Sequence, residues 1–237
     1  MKNISSIFTL LFCLSIFTNA DAQRLTGSGP IVTQDLNLAD FTGVSLGFSG
    51  DVYLRQGKTQ SVRVEGQQNL IDHLNTDVVD GVWKMKFNAK NVNYKSKFKV
   101  YITVPTLTYA KVSGSGDMST QGAFTGLNDL VAGVSGSGDL VMDVECKTLS
   151  VKVSGSGDVE MSGNANAANI RVSGSGTYDG YDMKTKNCEA RVTGSGDIST
   201  YASETLIANV TGSGDIDYKG GARVKAKVTG SGDIDGH

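Results

Sequence analysis

The sequence predicts an all-β protein folded as a parallel β-solenoid, and three observations carry that expectation. A five-residue unit, SGSGD or TGSGD with one SGSGT variant, returns seven times through the C-terminal half. The residues around each copy alternate apolar and polar with a period of two. Glycine is abundant but periodic: of 30 glycines, sixteen lie in the seven copies and in an earlier TGSG at Thr26–Gly29.

The copies begin at Ser113, Ser135, Ser154, Ser173 (SGSGT), Thr193, Thr211 and Thr229, at intervals of 22, 19, 19, 20, 18 and 18 residues. A fixed period near 20 marks units that cannot bury an apolar face alone and stack on their neighbours. The period is too short for a strand, a helix and two turns. It suits coils of two or three short strands rising ~4.8 Å each.

Residues 1–22 read as a signal peptide, with Lys2, an apolar run from Ile7 to Phe17 and an Ala20-Asp21-Ala22 cleavage site. The mature chain then starts at Gln23 and is exported to the periplasm, outer surface or medium. Lipidation at Cys13 is an alternative that the preceding Phe12 disfavours. No segment is long and apolar enough to span a bilayer.

Residues 23–110 form an irregular β region or cap, continuous with the solenoid. "GDVYLRQGKTQSVRVEG" reads as a hairpin turning at Gln56-Gly57, with Val52, Leu54, Val62 and Val64 inward. "NLIDHL" is a helical turn at most. "DGVWKMKF" and "KFKVYITVP" are strands. "VSLGFSGDV" (44–52) is a worn copy of the repeat, and the 66 residues from Gly50 to Gly116 correspond to three coils.

Residues 111–237 are the regular solenoid. In "VKVSGSGDVEM", Val151, Val153, Gly155, Gly157, Val159 and Met161 share one parity, and Lys152, Ser154, Ser156, Asp158 and Glu160 share the other. The glycines therefore face inward, where an opposing wall or bulky side chain needs space. Val224, Ala226, Val228 and Ile234 are inward in the last copies. Cys146 and Cys188 fall two coils apart, ~9–10 Å by strand spacing. A disulfide needs Cα atoms within ~7 Å, so both are expected as free thiols.

The signal peptide, "FTGVSLGFSGDVYLRQG", "ITVPTLTYAKVSGSGD" and the serial SGSGD units together resemble the head GIN domain family, secreted Bacteroidetes-type proteins described as autotransporter adhesin heads. The resemblance covers Thr33 to Asp235. It implies a right-handed, single-stranded, pectin-lyase-like β-helix and a role in adhesion, and it supplies no catalytic residues.

The residues themselves argue against an enzyme. The histidines are His73 and His237, no Ser-His-Asp or Cys-His set assembles around the repeats, and no zinc spacing exists. Asp215, Asp217 and Lys219 imitate a fragment of a calcium-dependent lyase site, but Asp217 aligns with Glu160 and Ser199 of other copies. A divergent carbohydrate-active β-helix enzyme and a purely structural envelope protein stand as alternatives to an adhesin. A formal net charge of −2, with no basic run, does not favour nucleic acid. The Gly-Ser-Gly is no phosphate loop, since Asp follows it and no helix begins there.

The outward residues make three columns. The hydroxyl columns run Ser113, Ser135, Ser154, Ser173, Thr193, Thr211, Thr229 and Ser115, Ser137, Ser156, Ser175, Ser195, Ser213, Ser231. The third is Asp117, Asp139, Asp158, Thr177, Asp197, Asp215, Asp233. Neighbouring carboxylates ~4.8 Å apart repel by about 1 kcal/mol or somewhat more before salt screening. Hydrogen bonds from backbone N–H groups offset this in one account. Calcium at Asp139, Asp158, Asp197 and Asp215 offsets it in the other. The first is preferred because Thr177 breaks the column; no cofactor is expected.

The expected ligand face is Ser113, Ser115, Asp117, Ser135, Ser137, Asp139, Ser154, Ser156, Asp158, Thr193, Ser195, Asp197, Thr211, Ser213 and Asp215. Its partner is a surface glycan or protein. Small polar residues also suit an exposed β face without any ligand, and the Asp column opposes an ice-binding reading. The last coil exposes a sheet edge, which motivates a weak homo-oligomer through the solenoid ends.

Overall fold

Alternating sequence becomes strand here because each coil finds a parallel partner above and below it. The computed structural model describes residues 24–89 and 91–237. The signal peptide and Cys13 lie outside the described residues. The N-terminal elements are β1 (Arg24–Thr26), β2 (Ile31–Leu36), β3 (Gly43–Leu46), β4 (Asp51–Gln56), β5 (Ser61–Gln67), the short helix α1 (Gln68–Ile71), β6 (Val78–Val79), β7 (Val82–Met85), β8 (Asn91–Asn93) and β9 (Lys99–Val104). The regular coils follow as β10 (Tyr109–Val112), β11 (Asp117–Thr120), β12 (Phe124–Val134), β13 (Leu140–Val153), β14 (Val159–Val172), β15 (Tyr178–Gly194), β16 (Ile198–Gly212), β17 (Ile216–Lys219), β18 (Arg223–Gly230) and β19 (Ile234–Gly236).

The expected parallel β-solenoid is present, and its core is a set of stacked apolar columns. One runs Met85, Leu46, Val112, Val134, Val153, Val172, Val192, Val210, all buried and in register. On the facing wall Val100, Val52, Met118, Leu140, Val159, Tyr178, Ile198 and Ile216 form a second. Tyr178 is the one aromatic in that column. Space for it comes from Gly180, where a Cβ would lie 2.4 Å from the ring.

The repeat glycines have a different cause from the one expected. The second glycine of each copy is buried and the first is half-buried, except Gly230 in the last copy, which is exposed, but what chiefly crowds them is backbone. A Cβ on Gly136 or Gly138 would lie 1.9 Å from the carbonyl oxygen of Gly114 or Gly116 in the coil before. Gly155, Gly157, Gly212 and Gly232 meet the equivalent carbonyl at 2.0, 2.1, 2.2 and 2.1 Å. The corner is a stack of glycines whose backbones touch. In the three TGSGD copies the β-branched Thr carries the strand two residues further, through Thr193, Thr211 and Thr229 in register. The glycine after each then adopts φ of 123°, 130° and 131°, a region open to glycine alone.

Three expectations are corrected, two of them in the N-terminal region. β4 and β5 do not form a hairpin. β9 lies between them, parallel to β4 and antiparallel to β5, with β2 antiparallel outside β5. Val52, Leu54, Val62 and Val64 are buried as expected, so the apolar alternation was right and the partner was wrong. Second, Gly50 and Gly116 are not three coils apart, because Asp51 pairs directly with Asp117. The coil made by β7 and β9 stacks on the other side of β3 and β4, so stacking order departs from chain order. The worn copy is in register with the true ones, and its Phe48 stands where they have glycine. Long insertions around that coil leave room that Phe48 fills with Phe87 and Phe98, at centroid distances of 4.9 and 5.4 Å.

Third, Val224, Ala226 and Val228 share the inward register but are exposed, with Val228 at 42%. Among the described residues no further coil covers them. Cys146 and Cys188 are free thiols, half-buried and buried.

The glycine stack predicts a sharp contrast. Gly138→Ala must displace backbone and should cost about 1–3 kcal/mol or more, whereas Gly221→Ala meets nothing within 4 Å and should change stability by less than ~0.5 kcal/mol. Chemical denaturation of both variants checks this.

Candidate functional site

The corner holding the repeat is where the structure gathers the sequence-predicted site residues. Ser113, Ser115, Asp117, Ser137, Asp139, Ser154, Ser156, Asp158, Thr193, Ser195, Asp197, Thr211, Ser213 and Asp215 are exposed, and Ser135 is half-buried. They form three parallel columns on one edge of the solenoid. The backbone beneath is occupied: the N–H groups of Ser137, Ser156, Ser175, Ser195, Ser213 and Ser231 donate to glycine carbonyls of the preceding coil at 2.8–3.2 Å.

The carboxylate column has a structural task. Asp117 Oδ1 accepts from the N–H of Asp139 at 3.2 Å, Asp139 from Asp158 at 3.0 Å, and Asp158 from Thr177 at 2.7 Å. After Thr177, which has no carboxylate, Asp197 accepts from Asp215 at 2.9 Å and Asp215 from Asp233 at 2.8 Å. Each carboxylate caps a corner N–H of the next coil. This charge-assisted bond offsets the repulsion between rungs. The calcium alternative at Asp139, Asp158, Asp197 and Asp215 therefore meets carboxylates already engaged through one oxygen. Among the described residues no three His, Cys, Asp or Glu side chains gather to hold a metal ion.

The hydroxyl columns differ from one another. In the first, Ser113 Oγ donates to Leu46 O at 3.1 Å and Ser173 Oγ to Val153 O at 3.4 Å. In the second, the hydroxyls point outward. The histidines are used elsewhere: His73 Nδ1 contacts Asn69 O at 2.8 Å, and His237 Nε2 contacts Asp217 Oδ1 at 3.1 Å.

A second concave feature was not found from the sequence. Where each coil bends again, the column Leu127, Cys146, Ala165, Thr185 floors a groove of about 600 Å³ that ends between Tyr201 and Ser203. One wall is Glu145, Asn164, Lys184 and Tyr201; the other is Lys147, Asn166, Lys186 and Ser203. Lys184 Nζ donates to Tyr181 O at 2.7 Å and lies 4.4 Å from the Tyr201 ring centre. A fixed offset from the repeat would have revealed these columns, but register shifts between Glu160 and Gly163, and again between Asp179 and Lys184, destroy it. A further concavity on the N-terminal sheet carries the stacked rings of Tyr53 and Tyr101, 5.2 Å apart, beside the Arg63–Asp35 pair at 2.9 Å.

Burial pushes the Cys146 thiol up to about 11, helped by Asp129. It pushes Cys188 to about 11 as well, against a 3.5 Å contact with the Thr200 hydroxyl. The Tyr178 phenol is driven above its ordinary value by burial, and its hydroxyl has no hydrogen-bond partner among the described residues.

The family model described as "Putative auto-transporter adhesin, head GIN domain" matches residues 40–222. The chain belongs to the head GIN domain family. Solved structures agree with this assignment. A "putative adhesin" from Bacteroides fragilis NCTC 9343 superposes with a TM-score of 0.84 at 27% identity, covering 90% of this chain and 100% of that one. A "putative lipid binding protein" from Parabacteroides distasonis ATCC 8503 gives 0.76 at 25%, covering 91% and 100%. A third, from Parabacteroides merdae ATCC 43184, shares the fold at 0.74 and 23%, covering 91% and 100%. No curated protein matches. Membership of the head GIN family supports an adhesin-like role, and among the described residues no helix is long and apolar enough to cross a membrane.

Two predictions follow from the head GIN corner and its thiols. Asp158→Ala leaves the Thr177 N–H without its acceptor and should cost ~1 kcal/mol, while Asp158→Asn keeps an acceptor and should lie within ~0.5 kcal/mol of wild type; urea denaturation separates them. For the thiols, the folded state keeps protons that unfolded cysteines release from about 9 upward. Their contribution is whole below that pH and is lost as pH rises through about 11. Stability measured across this window should fall less steeply in Cys188→Ala.

Proposed function

We propose that the chain is an exported, non-enzymatic, adhesin-like module that holds a surface glycan or protein along its hydroxyl columns. The observation that supports this most directly is the second column, Ser115, Ser137, Ser156, Ser175, Ser195, Ser213 and Ser231. Its side chains are exposed at the interval of the coils, while the backbone beneath them is already hydrogen-bonded. Such a face offers many equivalent weak bonds on a rigid frame, so binding strength grows with the number of coils engaged. The first column and the Asp column flank it. The Asp side chains contribute their second oxygens, the first being held by the next coil. Lipid binding, the description of one neighbour, is not adopted, because charged and polar side chains wall both concave surfaces.

Association through the solenoid ends belongs to this reading as a concentration-dependent contact. β18 is the exposed end strand, and it carries Arg223, Lys225 and Lys227. Antiparallel pairing of two copies would set these cations against one another, which keeps the contact weak. A monomeric mass in light scattering at high concentration would remove it.

The testing experiment is a glycan array probed with residues 23–237, with and without calcium. Selective binding without calcium dependence is expected. Alanine at Ser137, Ser156 and Ser175 together should weaken it stepwise, with no glycan consumed. A blank array under both conditions would move the reading to a protein partner or a structural envelope role. Release of shortened glycan would make the chain an enzyme.

A further inference from the structure

The geometry points to the groove at the second bend of the coils as a binding site for an acidic glycan chain. This deepens the adhesin-like reading and rests on it, but it uses a surface separate from the hydroxyl columns. Three features identify the occupant.

The first is charge. The walls carry Lys147, Lys184 and Lys186 against Glu145 alone, in a chain whose formal net charge is −2. Lys184 is held by Tyr181 O and the Tyr201 ring and is paired with Asp182 at 4.0 Å, so the free positive charge is that of the other two. Lys147 and Lys186 are exposed, and neither is paired with a carboxylate among the described residues. They stand on one wall with Asn166 between them, two coils or ~9–10 Å apart. That is a little more than one screening length, about 8 Å, at physiological salt, and an anion seated between them lies within that length of both.

The second is length. From Leu127 to the level of Tyr201 and Ser203 the groove crosses four coil steps, ~19 Å at the strand spacing. The groove runs along the solenoid axis, and a single small anion would fill a fraction of it. A linear polymer with repeated acidic groups matches both its direction and the spacing of its cations.

The third is the kind of hydrogen bonding on offer. An extended peptide docks on a sheet by pairing with free backbone groups at an edge. Here the strands are interior to a parallel stack with coils on either side, so no sheet edge is open to a peptide, although the ladder skips Lys147, Asn166 and Lys186 and shifts register between Thr185 and Asn187. The groove offers mainly side chains: the amides of Asn164 and Asn166, the ammonium groups, and the hydroxyl of Ser203, whose oxygen can still accept while it donates to Thr185 O at 3.3 Å. Amides and hydroxyls that both donate and accept suit the hydroxyls of sugar rings.

The test is calorimetric titration of the mature chain with four probes of matched length: a uronic-acid oligosaccharide, a sulfated heparin oligosaccharide, a neutral glucose oligomer and poly-glutamate. Binding to one or both acidic glycans is expected, weakening with salt, with no binding to the glucose oligomer and little to poly-glutamate. The two acidic arms tell carboxylate from sulfate. Lys147→Gln with Lys186→Gln should lower affinity about tenfold or more, and the same charge change at Lys225 and Lys227 on β18 should leave it unaltered. Maleimide labelling of Cys146, in the groove floor, should slow when the glycan is bound.

Equal binding of poly-glutamate, or equal loss in both lysine pairs, would show attraction to charge in general and overturn the proposal. So would wild-type affinity in the Lys147/Lys186 variant, or no binding of either acidic glycan. Those results leave the adhesin-like reading standing wherever the array finds another ligand that the Ser137/Ser156/Ser175 variant loses.

Discussion

Successive coils are held one hydrogen-bonded strand spacing apart, and at the repeat corner that spacing leaves no room for a Cβ atom. The glycine backbones lie directly over one another, with each carbonyl oxygen where the next side chain would begin. Everything regular about the molecule follows from this contact. A rise fixed at the corner is fixed around the whole coil, so the valines at 153, 172, 192 and 210 come into line and close the core. The worn copy shows the converse. Where the neighbouring coils leave room, Phe48 replaces a glycine and its ring joins the aromatic cluster.

Bringing coils this close also sets a demand on polar groups. As the chain turns, the N–H of the fifth repeat residue loses the backbone acceptor it would have in a straight ladder, and the Asp of the preceding coil supplies one. Stacked carboxylates would be a liability on a bare surface. Here each is tied to an N–H dipole of the coil above, which is the compensation that lets the column persist. The serines between are small, tolerate the bend and keep their hydroxyls toward water. One five-residue unit thus meets the steric, electrostatic and solvation needs of the same corner.

Most of this was legible in the chain because the repeat and its alternation are local. Period and parity identified the buried and exposed residues of β13 to β16 and matched Asp51 to the later aspartates. What could not be read depends on neighbours distant in sequence. The alternation of β4 and β5 marks a buried face but does not name a partner, and β9 inserted itself between them. Val224 and Val228 have the pattern of core residues, yet burial belongs to the coil that covers them. The groove was hidden for a third reason: single-residue shifts at the bends move Lys147 and Lys186 to different offsets from their repeat units, although they stack on one wall.

The two bends of each coil consequently carry different kinds of information. At the repeat corner, glycine and aspartate are consumed by contacts between coils, so their identity is dictated by the fold and recurs. At the second bend the inward floor is small or apolar, and the flanking positions face water. Lys147, Asn166, Lys186 and Ser203 occupy equivalent places with different chemistry, and of the four only Ser203 bonds to the neighbouring coil, its hydroxyl donating to Thr185 O at 3.3 Å. A position that may change without cost to the stack is one that selection for a ligand can set. In a repeat protein built this way, affinity can grow with the number of equivalent hydroxyls on the regular corner. Discrimination between ligands has to be written where the repeat departs from itself, and in this chain the departure is the cationic groove across β13 to β16.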